Sequence, residues 1–375
     1  METEIDPIMC FGGMTMTKVA AVLMAGGKGE RFWPKSRTNL PKQFLNISGQ
    51  KSMIQQSIQR LERYVPIEDI FVVTNQLYAE LIHVQIPYLP LKNIIIEPVG
   101  RNTAPCIGVA SLILEQRYSD SVMIVLPSDH MIENEEGFIE ILKAAVELAK
   151  RGQDIITLGI TPTYPETGYG YIERTSEREE INGIEAFKVN RFVEKPDKET
   201  AQEYVESGNF YWNSGIFVWK TSLIRRYIRE LMPDMHDVLE SMKKGFEGHD
   251  VNEVIASEFP KMPDQSIDYG IMEHVQNIYV IPCKFGWDDV GSWTALERIS
   301  ELDENGNVIK GDNILNVDTK RCIIEGNGKL IATLGVEDLI IVDTEDVTLI
   351  CSKDKAQEVK TLIQELRNQK MEKYL

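Results

Sequence analysis

Closely spaced cysteine pairs are missing: Cys10, Cys106, Cys283, Cys322 and Cys351 are odd in number, scattered, and contain no C-x-x-C. That spacing argues against a disulfide framework and a cysteine-based zinc site, and it fits a reducing compartment. Also missing is any apolar run of about 18 residues, the length a bilayer span needs. The first residues are acidic where a secretory signal would be basic. A cytoplasmic protein with no membrane partner is expected. Positive charge is scarce: 40 Lys and Arg stand against 58 Asp and Glu, a net charge of −18. Tracking a nucleic acid needs clustered cations, so no nucleic acid partner is expected. The five histidines show no H-E-x-x-H spacing.

What is present is the composition of a folded domain, 43 % hydrophobic and 26 % charged over 375 residues. Residues 1–17 lack periodicity and read as a flexible extension. From Lys18 short apolar runs alternate with helical periodicity, the pattern of βα units around a mostly parallel sheet. Strands are expected at Val19 to Met24, Ile70 to Thr74, Asn93 to Ile96, Val122 to Leu126 and Ile155 to Leu158. Ile54, Ile58 and Leu61 recur at helical spacing, as do Phe138, Ile141, Leu142, Ala145 and Leu148. A third helix is expected to start near Asn102 or Thr103, with Pro105 in its first turn. Beyond Gly168 longer strands mix with helices. From about Asp303 short β segments are broken by Gly, Asn and Asp, and a helix over about Lys355 to Met371 follows. The expected division is a large α/β unit at 18–302 and a small β unit with a terminal helix at 303–375.

The chemistry concentrates after the first strand, in LMAGGKGERFWPKS from Leu23 and NLPKQFL from Asn39. Gly26, Gly27 and Gly29 allow backbone N–H groups to approach an anion, so the segment can form a phosphate nest. Lys28, Arg31, Lys35, Arg37 and Lys42 against the single Glu30 reverse the overall sign of the chain. A dinucleotide fingerprint begun at Gly27 needs glycine where Phe32 stands, and a Walker A loop needs glycine where Arg31 stands. The loop is therefore a phosphate loop of another kind, at the strand end where open α/β sheets bind ligands. Asp129 ends a strongly apolar strand, where it can face the same crevice or cap a turn.

G-G-x-G-x-R followed by P-K-Q-F resembles the signature of the sugar nucleotidyltransferases. The forms GERFWP and PKQFL are similar to the bacterial mannose-1-phosphate guanylyltransferases. EPVGRNTAP from Glu97, LPSDH from Leu126, TGYGYIE from Thr167, FVEKP from Phe192, NSGIF from Asn213 and WDDVGSW from Trp287 follow in the family's order. The resemblance implies a Rossmann-like sheet flanked by helices, followed by a short left-handed β-helix that serves packing or subunit contact, as in a homodimer. It implies transfer of GMP from GTP to mannose 1-phosphate, giving GDP-mannose and pyrophosphate with Mg²⁺. Some members of that group continue into a cupin-like isomerase domain, for which the residues before Leu375 leave no room, so isomerase activity is not expected.

The reaction is an in-line attack of a phosphate oxygen on the α-phosphorus. The nucleophile's second ionisation is near pKa ~6, so it needs no general base, only charge neutralisation and orientation. Under the resemblance Arg31 and Lys42 hold the triphosphate, and Asp129 and Asp288 hold Mg²⁺, with the neighbouring Asp289 offering the same chemistry. The nucleotide site is expected from Ala25, Gly26, Gly27, Gly29, Arg31, Glu97, Arg101, Asn102, Thr103, Pro127 and Ser128. The sugar phosphate is expected at Gly170, Glu173, Glu194, Lys195, Asn213 and Asp288. His130 is expected to orient its neighbours.

Overall fold

The computed structural model describes residues 17–375. The expected extension, apart from Thr17, lies outside the described residues. The strands of the larger part are β1 (Val19–Met24), β2 (Ile70–Asn75), β3 (Ile94–Glu97), β4 (Val122–Pro127), β5 (Met131–Ile132), β6 (Ile155–Ile160), β7 (Gly170–Ile181), β8 (Ile184–Glu194), β9 (Phe210–Lys220), β10 (Ile278–Cys283) and β11 (Trp287–Asp288). Its helices are α1 (Met53–Leu61), α2 (Gln76–Gln85), α3 (Thr103–Arg117), α4 (Glu135–Ala149), α5 (Lys198–Ser207), α6 (Thr221–Leu231), α7 (Pro233–Gly245), α8 (Val251–Glu258) and α9 (Leu296–Ile299).

One sheet has the order β3-β2-β1-β4-β9-β6-β10-β8-β7. β1 pairs in parallel with β2 and β4, β2 with β3, and β6 with β10; β9 enters antiparallel between β4 and β6. Only β8 and β9 run against the rest, so the sheet is mostly parallel. The central strands read as unbroken apolar runs because both faces are covered. Their two-residue alternation divides them between two apolar layers. Ala21, Leu23, Val72 and Ile124 pack with α1 and α4, through Ile54, Ile58, Phe138 and Leu142. Ala20, Val22, Phe71 and Val125 face α3, α6 and α7, through Ile107, Ile224 and Leu239. Helices α2, α7, α8 and the short α9 are those that periodicity did not mark.

The order of strand addition reverses at β1: β2 and β3 build outward on one side and β4 on the other. That switch point opens a crevice at the carboxyl ends of β1 and β4. The loop Ala25 to Arg31 follows β1, and Asp129 follows β4 by two residues.

After α9 come β12 (Val308–Lys310), β13 (Ile314–Val317), β14 (Ile323–Glu325), β15 (Ile331–Leu334), β16 (Leu339–Asp343), β17 (Thr348–Ser352) and α10 (Val359–Asn368). β12, β14 and β16 stack in parallel, and so do β13 and β15, which is the layout of β-helical coils. Asn313, Asp318, Arg321 and Asp338 turn the coil corners at positive φ. Asn and Asp tolerate that conformation better than other side chains, which is why they punctuate this part of the sequence.

The coil does not stand apart. Phe32, Trp33, Leu45 and Ile47 share one buried cluster with Trp293, Val308, Ile323, Ile340, Val359 and Ile363. Trp293 Nε1 donates to Trp33 O (3.1 Å) and Lys310 Nζ to Ile47 O (2.6 Å). The back of the glycine-rich segment is thus held by the C-terminal unit.

Candidate active site

The glycine loop is fastened from below. Ala25 N donates to Val73 O (2.8 Å), and Gln43 Nε2 reaches both Ala25 O and Gly27 O (2.9 Å each). With these carbonyls tied down, the N–H groups of residues 26 to 29 have no acceptor among the described residues. That leaves a row of donors for an anion. Gly29 is at φ 58°, and a Cβ there would lie 2.3 Å from Lys42 Cβ and 2.8 Å from Lys42 N. Only glycine lets the loop close onto the PKQF turn.

A cavity of about 390 Å³ lies over this loop, walled by Lys28, Arg31, Lys42, Asp129, Asp289 and the helix α10. Lys42 is buried; its Nζ donates to Asp129 Oδ2 (2.8 Å) and to Asp289 O (2.6 Å). Burial pulls the Asp129 carboxyl up, but the charge and hydrogen bond of Lys42 outweigh it and hold the group below the usual carboxylate range. His130 is lowered chiefly by burial. Trp287 Nε1 donates to its Nδ1 (3.1 Å), so the neutral ring carries its proton on Nε2 and sits edge-on to the indole. This is an orienting histidine.

The structure corrects the second carboxylate. Asp288 is bound by Arg298, whose Nε and Nη2 donate to Oδ2 and Oδ1 at 2.5 and 3.0 Å, and Val290 N donates to Oδ1 (2.7 Å). It lines a separate pocket with Tyr164, Tyr169 and Trp212. The carboxylate that shares the cavity with Asp129 belongs to Asp289, and its Oδ1 accepts from Tyr169 OH (2.5 Å) and Gly291 N (3.1 Å). Asp288 is the last residue of β11, and the chain turns immediately after it, so that Asp289 stands on the cavity side.

Among the nucleotide residues, Glu97 is buried at the end of β3 with Oε1 unpartnered among the described residues. Burial, only partly offset by a Cys106 thiol hydrogen bond, raises its carboxyl to about 7. Oε2 lies 3.3 Å from where a Cβ on Gly26 would stand, so Gly26 keeps the space beside this carboxyl clear. Arg101 and Thr103 do other work. Arg101 Nη2 donates to Pro260 O (2.8 Å), and Thr103 Oγ1 accepts from Ile267 N (2.9 Å). Asn102, at φ 66°, caps α3 by accepting from Thr103 N. Arg101 and Thr103 thus anchor the chain between Pro260 and Ile267 that leads into Asp268. The Ser128 backbone is likewise taken, its N–H by Met24 O (3.2 Å) and its carbonyl by Ser57 Oγ (3.1 Å). It belongs to the support of the crevice. Pro127, the last residue of β4, lies under Gly215, where a Cβ would stand 3.6 Å from its Cγ.

Four of the expected sugar-site residues converge. Gly170 pairs with Glu194 across β7 and β8, and a Cβ on Gly170 would stand 2.5 Å from Glu194 Oε2 and 3.5 Å from Asn213 Cβ. Lys195 Nζ donates to Glu194 Oε1 (2.7 Å), and Asn213 Nδ2 to Asp268 Oδ1 (2.8 Å). Asn213 owes its place to an irregularity in the β6–β9 pairing, where Gly215 takes φ 68°. Burial, then the Glu194 charge, pushes Asp268 up to about 6. No motif singled out Asp268, which enters from a short helical turn distant in sequence. Glu173 is a correction: Arg191 Nε (2.7 Å), Asn190 Nδ2 (2.9 Å) and Asn209 Nδ2 (3.3 Å) hold its carboxylate. It braces the β7–β8 hairpin.

A donor nest at a switch point, facing carboxylates and lysine across one cavity, defines a protein that handles nucleoside phosphates. The sequence profile described as nucleotidyl transferase matches residues 20–306, and the chain belongs to that family. A second profile, a mannose-phosphate isomerase/GMP-like β-helix domain, matches residues 302–366. The mannose-1-phosphate guanylyltransferase of Klebsiella pneumoniae is 39 % identical over 359 residues, 94 % of this chain and 75 % of that protein. The alginate biosynthesis protein AlgA of Pseudomonas syringae pv. tomato is 38 % identical over 351 residues, 93 % of this chain and 72 % of that one. A crystal structure described as mannose-1-phosphate geranyltransferase from Thermus thermophilus superposes with a TM-score of 0.82 at 34 % identity, covering 94 % of this chain and all of that one. Among the described residues no helix is long and apolar enough to cross a membrane.

Proposed function

We propose that this enzyme transfers GMP from GTP to mannose 1-phosphate, giving GDP-mannose and pyrophosphate. The observation that carries the reading is the row of free N–H donors at 26–29 beside one cavity lined by Lys42, Asp129 and Asp289. The unpartnered Glu97 carboxyl lies beside Gly26, and Glu194, Lys195 and Asn213 from the β7–β9 region form a second polar cluster with Asp268, which enters from a helical turn.

Guanine presents two adjacent donors, N1–H and the N2 amino group, to one carboxylate, whereas uracil and thymine present a single N–H. A buried Glu97 with a free oxygen suits the first pattern. The Lys195 ammonium supplies charge for the sugar phosphate, and Glu194 and Asp268 accept from sugar hydroxyls. The choice of mannose follows the names of the relatives.

Among the described residues no three His, Cys, Asp or Glu converge on a cation site. Asp129 and Asp289 fit Mg²⁺, which takes one or two carboxylates and completes its shell with phosphate oxygens and water. When bound there it would neutralise phosphate charge. The chain's own part is to present the 26–29 N–H donors and Arg31 to the triphosphate. Lys42, buried and oriented by Asp129 and the Asp289 carbonyl, is pre-organised at the centre of that charge.

Pyrophosphate release, measured with Mg²⁺ over a grid of four NTPs and several sugar 1-phosphates, tests the proposal. Release with GTP and mannose 1-phosphate supports it. Release confined to another pair overturns the substrate assignment, and silence across the grid from folded protein overturns the catalytic one.

A further inference from the structure

Helix α10 lies outside the nucleotidyltransferase sheet, yet it reaches the catalytic cavity. Val359 and Ile363 bury one face of it against Phe32 and Trp33. Lys360 and Arg367, two turns apart, fall on one stripe of the helix beside that face. Arg367 Nη2 donates to Glu30 Oε1 (2.9 Å), inside the glycine loop. Beyond it, Trp33 Nε1 and Arg37 Nη1 both donate to Tyr374 O, at 2.7 and 2.9 Å. The helix is therefore fixed against the loop at one end, and at the other Lys360 lines the same cavity as Asp129.

The charge balance there is uneven. Asp129 is met by Lys42 and Glu30 by Arg367. Lys28, Arg31 and Lys360 make no ion pair among the described residues, although all three line the cavity. Three cations without ion-pair partners, against the one carboxylate of Asp289 that no cation meets, surround a row of free N–H donors and suit a highly charged polyphosphate better than a sugar monophosphate. Resting on the nucleotidyl-transfer reading, we propose that Lys360 is a phosphate-binding residue of the active site, contacting the outer phosphates of the nucleotide and the departing pyrophosphate. The C-terminal unit thereby completes the site that the sheet begins.

The test uses Lys360→Gln, Lys360→Arg and, as a charge control away from the cavity, Lys370→Gln. In the pyrophosphorolysis direction, Lys360→Gln should raise KM for pyrophosphate about five- to tenfold while KM for the nucleotide sugar stays within twofold. Lys360→Arg should restore most of the loss, and Lys370→Gln should match the wild type. Calorimetric titration with magnesium pyrophosphate alone should show the same weakening, and that measurement does not depend on which base or sugar the enzyme uses. If wild-type protein binds pyrophosphate but turns over no GTP and mannose 1-phosphate, the substrate reading fails and the Lys360 proposal is judged on titration. Unchanged pyrophosphate affinity in folded Lys360→Gln, or equal weakening by Lys370→Gln, overturns the proposal.

Discussion

Replacing Glu97 by Gln keeps the shape of the side chain and removes its ionisation. Burial raises this carboxyl from about 4.5 in the unfolded chain to about 7 in the fold. Between those values the folded state binds the extra proton, so wild-type stability falls as pH rises and levels off above about 7. Each pH unit of displacement is worth about 1.4 kcal/mol, which makes the full burial penalty on the order of 3 kcal/mol at alkaline pH. The variant escapes it. Urea unfolding of both proteins at pH 5, 6, 7 and 8 should show their stability difference widening by roughly 2 to 3 kcal/mol in favour of Glu97→Gln. Other titrating groups are common to both proteins and cancel. The same variant should lose preference for GTP, because an amide replaces one of the two carboxylate acceptor oxygens by an NH2 donor that opposes a guanine N–H, with discrimination falling by about 1 to 3 kcal/mol. A stability difference independent of pH, together with unaltered base selection, would refute the placement of Glu97 as a buried, base-facing carboxyl.

Lys42→Ala removes the central cation and leaves Asp129 without its partner; kcat for nucleotidyl transfer should fall about 100-fold or more, and steady-state kinetics will check it. Asp289→Asn should raise the Mg²⁺ concentration needed for half-maximal activity, as Asp129→Asn should. Asp288→Ala should leave that requirement unchanged and lower stability by about 1 kcal/mol, since Arg298 is partly solvated; the reverse pattern in metal titrations would restore Asp288 as the ligand. Gly29→Ala forces a Cβ into Lys42 at positive φ, so a loss of about 2 kcal/mol in urea unfolding is expected along with activity.

The sequence legibly marked the parallel strands, because a strand buried on both faces must be written as an apolar run. It marked the glycine loop for a similar reason: the backbone contacts demand glycine at 29, and the charge demands Arg31 and Lys42. Helices α2, α7 and α8 escaped notice, since α2 buries only Tyr78 and Ile82, and Met235, Leu239, Met242, Val254 and Ile255 are spread among charged residues that face solvent. The basic run from Lys28 to Lys42 looked like a single patch. In the fold it divides, with Lys28, Arg31 and Lys42 at the cavity while Lys35 pairs with Glu325 and Arg37 with Asp346.

What the sequence determined by itself is local: which segments are strands, where an anion can meet free N–H groups, and which family blocks are present. Tertiary structure alone decided the direction of side chains and their partners. Asp288 and Asp289 are adjacent letters of the same type, and only the fold at the end of β11 sends one to Arg298 and the other to the cavity with Asp129. Glu173 and Glu194 differ only in that one meets Arg191 across a hairpin and the other meets Lys195, Gly170 and a distant Asp268. Lys360 carries no motif at all, and its place over the phosphate loop follows from how α10 packs on Phe32 and Trp33. Hydrophobic patterning specifies elements; charge–charge partnerships across hundreds of residues depend on distances that exist only once the chain has folded.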